Sequence, residues 1–189
     1  VDICDYANLT ADQKQWGHDY FRKEIYQILT PFAVDPGHPF PFISNLSLSL
    51  AVMLRDIKRT STHFVRLKIP VSRWVHLPVS REERQKGINE RLLPVEQLII
   101  QHIDELFPGM EVLSAHPFRI TRNADIRRDE EEADDLIDMI SAELRERRFA
   151  PVVRIEVAKE MPEDDRRLLR RELGLEPEDQ IEVDGLIDL

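Results

Sequence analysis

Apolar residues recur along this chain at two spacings. One returns every third or fourth position and predicts helices with a buried face; the other returns every second position and predicts strands. Thr10 followed by Gln13 is a helix-start signature. Trp16, Tyr20, Phe21, Ile25, Ile28 and Leu29 then repeat at helical spacing up to Pro31. In residues 46–54, Leu46, Leu48, Leu50, Val52 and Leu54 alternate with Ser47, Ser49, Ala51 and Met53. That is a strand with one apolar face and one face of mainly small residues, against which another element can lie close. Val65, Leu67 and Ile69 alternate in a second strand that Pro70 stops, and residues 73–77 make a short third. Residues 80–91 are charged and aperiodic and predict an exposed loop.

Pro94 suits the first position of a helix carrying Leu98, Ile99, His102, Ile103 and Leu106, which Phe107, Pro108 and Gly109 end. Residues 110–125 read as extended, with a kink at Pro117. A helix from Asp129 has Glu130, Glu131 and Glu132 in its first turns and Arg145, Arg147 and Arg148 in its last, an arrangement that suits the helix dipole. Its apolar stripe is Ala133, Leu136, Ile137, Ile140 and Leu144. A strand with Val153, Ile155 and Val157 follows Pro151, a helix runs from Pro162 to Gly174, and residues 180–183 form a last short strand.

Residues 29–45 hold Pro31, Pro36, Pro39 and Pro41. Each proline fixes its own φ and pushes the preceding residue out of the helical region. The segment is therefore expected to be stiff, kinked and extended, without regular hydrogen bonding. Interspersed strands and helices without strict alternation give an α+β class. The expected architecture is a mixed sheet of about six strands with helices packed mainly on one side, preceded by one amphipathic helix.

Charge changes the picture little until it is divided along the chain. The net charge is −10, of which residues 1–128 contribute +2 and residues 129–189 contribute −12. An acidic second half argues against a nucleic-acid surface along the whole chain. The single cysteine, Cys4, excludes an internal disulfide and a cysteine-rich metal site, which suits a reducing cytoplasm. No apolar run approaches the roughly 20 residues of a membrane span. Val1 and the apolar ending at Leu189 are expected to be cut ends of something longer.

Chemistry is sparsely signalled. There is no glycine-rich phosphate loop, nucleophile elbow or paired-histidine metal motif. The tripeptide His-Pro-Phe occurs at His38 and at His116. These histidines could ligate a metal or accept a phosphoryl group, but neither has a second ligand at metal spacing. Two rigid turns anchored by aromatic residues is the simpler reading. Arg119, Arg122, Arg127 and Arg128 form the densest basic patch of the first part. Forked guanidinium groups suit phosphate oxygens, and equally suit pairing with the acidic helix start or a neighbouring domain. The acidic run at 129–135 is expected to be solvated, and Trp16 and Trp74 to be core or interface aromatics.

Four stretches carry a resemblance. Tyr20 and Phe21 lead into Leu29-Thr-Pro-Phe-Ala-Val-Asp-Pro-Gly-His-Pro-Phe-Pro-Phe-Ile-Ser-Asn, which resembles the entry to the middle domain of bacterial polyphosphate kinases. Residues 106–110, 118–125 and 145–157 resemble later parts of the same domain, in order. The resemblance implies that residues 1–30 end an N-terminal helical domain and that residues 31–189 are the middle domain. It implies a cytoplasmic parent enzyme, with membrane association of the full-length protein as an alternative, that moves the terminal phosphate of ATP reversibly onto polyphosphate through a phosphohistidine. Mg and ATP would be bound outside this stretch, which would have neither catalytic nor cofactor-binding residues of its own. Its work would be structural: homo-oligomer contacts, support for the other domains of the polypeptide, and framing of the polyphosphate path. The alternative is a polyphosphate- or nucleotide-binding module using Arg119 and Arg122.

Overall fold

The capping box foreseen at Thr10 closes in both directions. The Gln13 backbone N–H donates to Thr10 Oγ1 at 3.3 Å, and the Thr10 N–H donates to Gln13 Oε1 at 3.1 Å. From it runs α1 (Ala11–Tyr20) in a computed structural model that describes residues 1–34, 40–59, 61–69, 73–123 and 150–187. His38, Arg127, Arg128 and the helix expected from Asp129, with its acidic start, lie outside the described residues.

The expected stripe is buried in part: Phe21, Ile25 and Leu29 belong to the core. Gln13 and Gly17 point inward, followed by Phe21 and Ile25, while Trp16 and Tyr20 are half-buried and stack with ring centroids 5.1 Å apart. Gly17 explains the choice: a Cβ there would stand 3.2 Å from Leu98 Cδ1, so the missing side chain lets the helix approach its neighbour closely. A π-helical turn at Phe21–Ile25 and a 3-10 turn at Tyr26–Ile28 then shift the helical phase. Ile28 ends up exposed.

The chain forms two compact units, Val1–Pro39 with Ser49–His116, and Phe40–Leu48 with Pro117–Leu189. In the first, β2 (Pro31–Val34), β3 (Leu48–Asp56) and β4 (Thr62–Lys68) are antiparallel neighbours in the order β2-β4-β3. Pro31–Val34 therefore has regular strand pairing, against Leu67 to Phe64, where an irregular path was expected. Edge position makes this possible, because a proline there need not donate to a partner strand. Both faces of β3 are buried: Leu50, Val52 and Leu54 on one side, Ser49 and Ala51 on the other. The small face admits Arg66, whose Nε donates to Ser49 Oγ at 3.2 Å.

A second sheet was not foreseen. It joins β1 (Asp2–Ile3), β6 (Arg91–Pro94) and β5 (Trp74–Leu77) in the order β1-β6-β5. The expected loop before β6 contains α2 (Arg81–Gln85), started by a capping box between Ser80 and Glu83. A helix this short has no room for hydrophobic periodicity, so the capping residues were its only signal. Next, α3 (Val95–Gln101) stops one turn sooner than its apolar pattern, and residues Ile103–Leu106 continue as a 3-10 turn.

The extended segment expected over 110–125 is one strand, β7 (Met110–Arg122), which passes through Pro117, and the boundary between the units falls between His116 and Pro117. In the second unit, β7 pairs antiparallel with β8 (Val152–Ala158), with a bulge at Thr121/Arg122. Strand β9 (Gln180–Val183) adds parallel to β8. The full order is β2-β4-β3-β7-β8-β9, a mixed six-stranded sheet of the α+β class expected. Phe118, Ile120, Ile155, Val157 and Leu169 of α4 (Glu163–Leu173) are wholly buried. Burying each such side chain is worth about 1.5–3 kcal/mol. Gly174, at φ +67°, ends α4 in the left-handed region that side chains disfavour, and the Leu175 N–H closes on Arg170 O at 2.9 Å.

Candidate functional site

The bulge at the end of β7 decides what its arginines do. Arg119 lies opposite Glu156 in the β7–β8 ladder, and its Nε donates to Glu156 Oε2 at 2.6 Å, with both side chains largely buried. Arg122, beyond the register shift, turns back on the segment 40–48 instead. Its Nε and Nη2 donate to Ile43 O at 3.0 and 2.9 Å, and its Nη1 donates to Ala150 O at 2.6 Å. The guanidinium also sits 4.5 Å from the Phe42 ring centre. Its backbone N–H donates to Asn45 Oδ1 at 2.8 Å. The two arginines thus share a strand but serve different partners, a carboxylate and two main-chain carbonyls. Of the two His-Pro-Phe histidines only His116 is described, half-buried within β7.

A second constellation lies within the first unit and went unnoticed in the sequence. His18 and Arg22 stand four residues apart at the end of α1 and in the π-helical turn. His102 ends α3, and Glu105 follows it in the 3-10 turn. Glu105 is held on both oxygens: His18 Nε2–H donates to Oε1 at 2.8 Å and Arg22 Nε donates to Oε2 at 2.8 Å. His102 Nδ1 is 3.9 Å from the same Oε1, and its ring centre is 4.8 Å from that of His18. Phe21 and Tyr6 wall the His102 ring, with centroids 5.2 and 6.2 Å away. His102 Nε2 is buried and has no hydrogen-bond partner among the described residues.

Electrostatics follows from that packing. Burial, and then the neighbouring His18, hold the His102 imidazole below its ordinary range; Glu105 opposes them and Arg22 assists. For Glu105, burial pushes the carboxyl upward, but the hydrogen bonds from Arg22 and His18 outweigh it and leave the group below the usual carboxylate range. Near neutral pH the arrangement is an anionic carboxylate between a guanidinium and an imidazole, with a second imidazole poised neutral beside it. A cavity of about 440 Å³ opens at Arg22, Tyr26 and Glu105. Two local spacings, His18 with Arg22 and His102 with Glu105, were visible in the sequence. Their meeting across 87 residues was not.

Among known proteins, the chain matches the family model described as the polyphosphate kinase middle domain over residues 12–189. It is similar to a polyphosphate kinase of Mycobacterium avium (strain 104), with 45% identity over 194 residues, covering 100% of this chain and 26% of that protein. A polyphosphate kinase of Mycobacterium tuberculosis (strain ATCC 25177 / H37Ra) is 43% identical over 196 residues, with the same coverage of both chains. The chain thus spans about a quarter of the length of these relatives. Its fold is similar to the crystal structure of the polyphosphate kinase from Porphyromonas gingivalis, at a TM-score of 0.73 and 22% identity. That likeness covers 98% of this chain and 25% of the other. Among the described residues no helix is long and apolar enough to cross a membrane.

Proposed function

The chain belongs to the polyphosphate kinase middle-domain family, and on that premise we propose that it is a non-catalytic, structural part of an enzyme that transfers the terminal phosphate of ATP reversibly to polyphosphate. The family match over residues 12–189 carries this reading. In it, residues 1–30 close a preceding helical domain, residues 31–189 support the polyphosphate path and contact a second copy of the protein, and the setting is cytoplasmic. ATP, Mg and the phosphorylated histidine belong to other parts of the polypeptide. The test is labelling of the full-length protein with ATP carrying a radioactive terminal phosphate. Label is expected outside these residues, and His38→Ala and His116→Ala should leave labelling unchanged. Label on either histidine would overturn the reading.

A second reading lets Arg119 and Arg122 hold a stretch of polyphosphate, and their nearness on β7 favours it. A phosphate chain there has to compete with Glu156 for Arg119 and with the Ile43 and Ala150 carbonyls for Arg122. Titration of the full-length protein with long-chain polyphosphate at low salt decides: affinity unchanged by Arg122→Ala would rule this reading out.

A further inference from the structure

The geometry points to a binding site for one divalent transition-metal ion, zinc in the first place, between His18, His102 and Glu105. Each of the three residues offers one donor atom, and these atoms lie within 4.8 Å of one another. Glu105 Oε1 is 2.8 Å from His18 Nε2 and 3.9 Å from His102 Nδ1. Ligand atoms around a tetrahedral zinc, at bonds of about 2.1 Å, stand about 3.3 Å apart. The site therefore closes on an ion by small side-chain rotations, with His18 giving way slightly and His102 moving in.

Three further features favour an ion over a plain ion pair. Arg22 holds Oε2 of Glu105 and so turns Oε1 toward His18 and His102, the role that outer hydrogen-bond partners play for ligating carboxylates; on binding, the ion takes the place of the proton between His18 Nε2 and Oε1, and that proton moves to the ring's other nitrogen. No hydrogen bond fixes the tautomer of the His102 ring among the described residues, and a buried imidazole normally has one. A metal on Nδ1, the nitrogen that faces Glu105, fixes the tautomer with the proton on Nε2. Third, Phe21 and Tyr6 hold the His102 ring on two sides, so the ligand set is partly preorganised. Two imidazoles and one carboxylate suit zinc and its borderline neighbours, whereas magnesium and calcium take all-oxygen shells. The cavity at Arg22, Tyr26 and Glu105 adjoins the cluster through Glu105. Bound there, the ion ties α1 to the turn after α3, two segments 87 residues apart in the chain.

Isothermal titration of the untagged full-length protein with zinc chloride, after removal of metal by a chelator, tests this. The expected result is about one equivalent of zinc bound beyond what the cluster variants retain, with a rise in unfolding temperature on adding zinc that those variants lose. His102→Gln and Glu105→Gln should each weaken zinc binding by at least about tenfold, while circular dichroism shows the variants folded. His18→Gln, at a half-exposed position where misfolding is not a concern, should do the same. Zinc bound with unchanged affinity by His18→Gln and His102→Gln would place the ion on another histidine and overturn the inference. So would absence of zinc binding, or a zinc-induced rise in unfolding temperature that His102→Gln leaves unchanged.

Discussion

Removing the Arg122 guanidinium should release the segment 40–48 from the paired strands β7 and β8. The side chain makes three hydrogen bonds to two carbonyls, Ile43 O and Ala150 O, and covers the Phe42 ring. Hydrogen bonds from a charged donor are worth roughly 1.5–3 kcal/mol net, and an exposed cation–π contact about 0.5–1 kcal/mol. Two bonds share one carbonyl, and the group is only partly buried, so the lower values apply to each carbonyl. Arg122→Ala should therefore cost about 3.5 kcal/mol, of which about 3 kcal/mol comes from the hydrogen bonds that hold the segment down. The neighbouring Leu46 N–H, bonded to Ile120 O at 3.0 Å, reports the loss directly. By hydrogen–deuterium exchange its local opening should become about a hundredfold more frequent, since each 1.4 kcal/mol is about a factor of ten. Tryptophan fluorescence would miss the change, because Trp16 and Trp74 both belong to the other compact unit. Arg122→Lys keeps the charge but not the fork and should recover less than about half of the stability. Exchange at residues 42–47 altered less than about threefold by Arg122→Ala, under about 0.7 kcal/mol, would refute the clamp.

Two other outcomes follow from single contacts. Arg119→Met alone should cost about 3 kcal/mol by stranding Glu156, and Arg119→Met with Glu156→Leu should recover most of it; urea denaturation followed by circular dichroism measures the coupling, and additive effects would deny that the pair acts as a unit. Glu96 is buried with one carboxylate oxygen unpartnered among the described residues, and burial raises its carboxyl above the ordinary 4.5, opposed by a hydrogen bond to its own backbone N–H and by Arg73. For a raised carboxyl the folded state binds the extra proton, so the penalty is full above the folded value and vanishes as pH falls below the ordinary one. Glu96→Gln should accordingly stabilise the protein at neutral pH, with the gain shrinking toward acid. Unfolding temperatures at the two ends measure it, and a pH-independent difference would contradict the account.

Local signals carried far in this sequence wherever a single element was enough to express them. The box at Thr10 and Gln13 and the stop at Gly174 appear where neighbouring residues placed them, as does the strand expected over 46–54 from Leu48 on, Leu46 lying exposed before it at φ +58°. Failures came where a distant partner chose between local options. The aromatic side of α1 lost to the side bearing Gly17, because only that side lets Leu98 come within contact. Pro31–Val34 became a strand because β4 supplied an edge to pair with, and Asp2–Ile3 did so because β6 did.

The candidate sites divide in the same way. Arg119 and Arg122 were legible as a basic pair from spacing alone, since three residues along a strand is a local fact. Which partner each holds depended on the bulge after Thr121, a property of the pairing with β8 and not of either arginine. The cluster of His18, His102 and Glu105 was illegible for a stronger reason. Its members belong to helical segments joined by a long stretch of β structure, and only the packing of α1 beside α3 closes that distance. By itself the sequence determined the class, most elements and the family, because periodicity, capping and proline act over a few residues. Tertiary structure alone decided which faces are buried and which charged groups meet, because those depend on contacts between residues far apart in the chain.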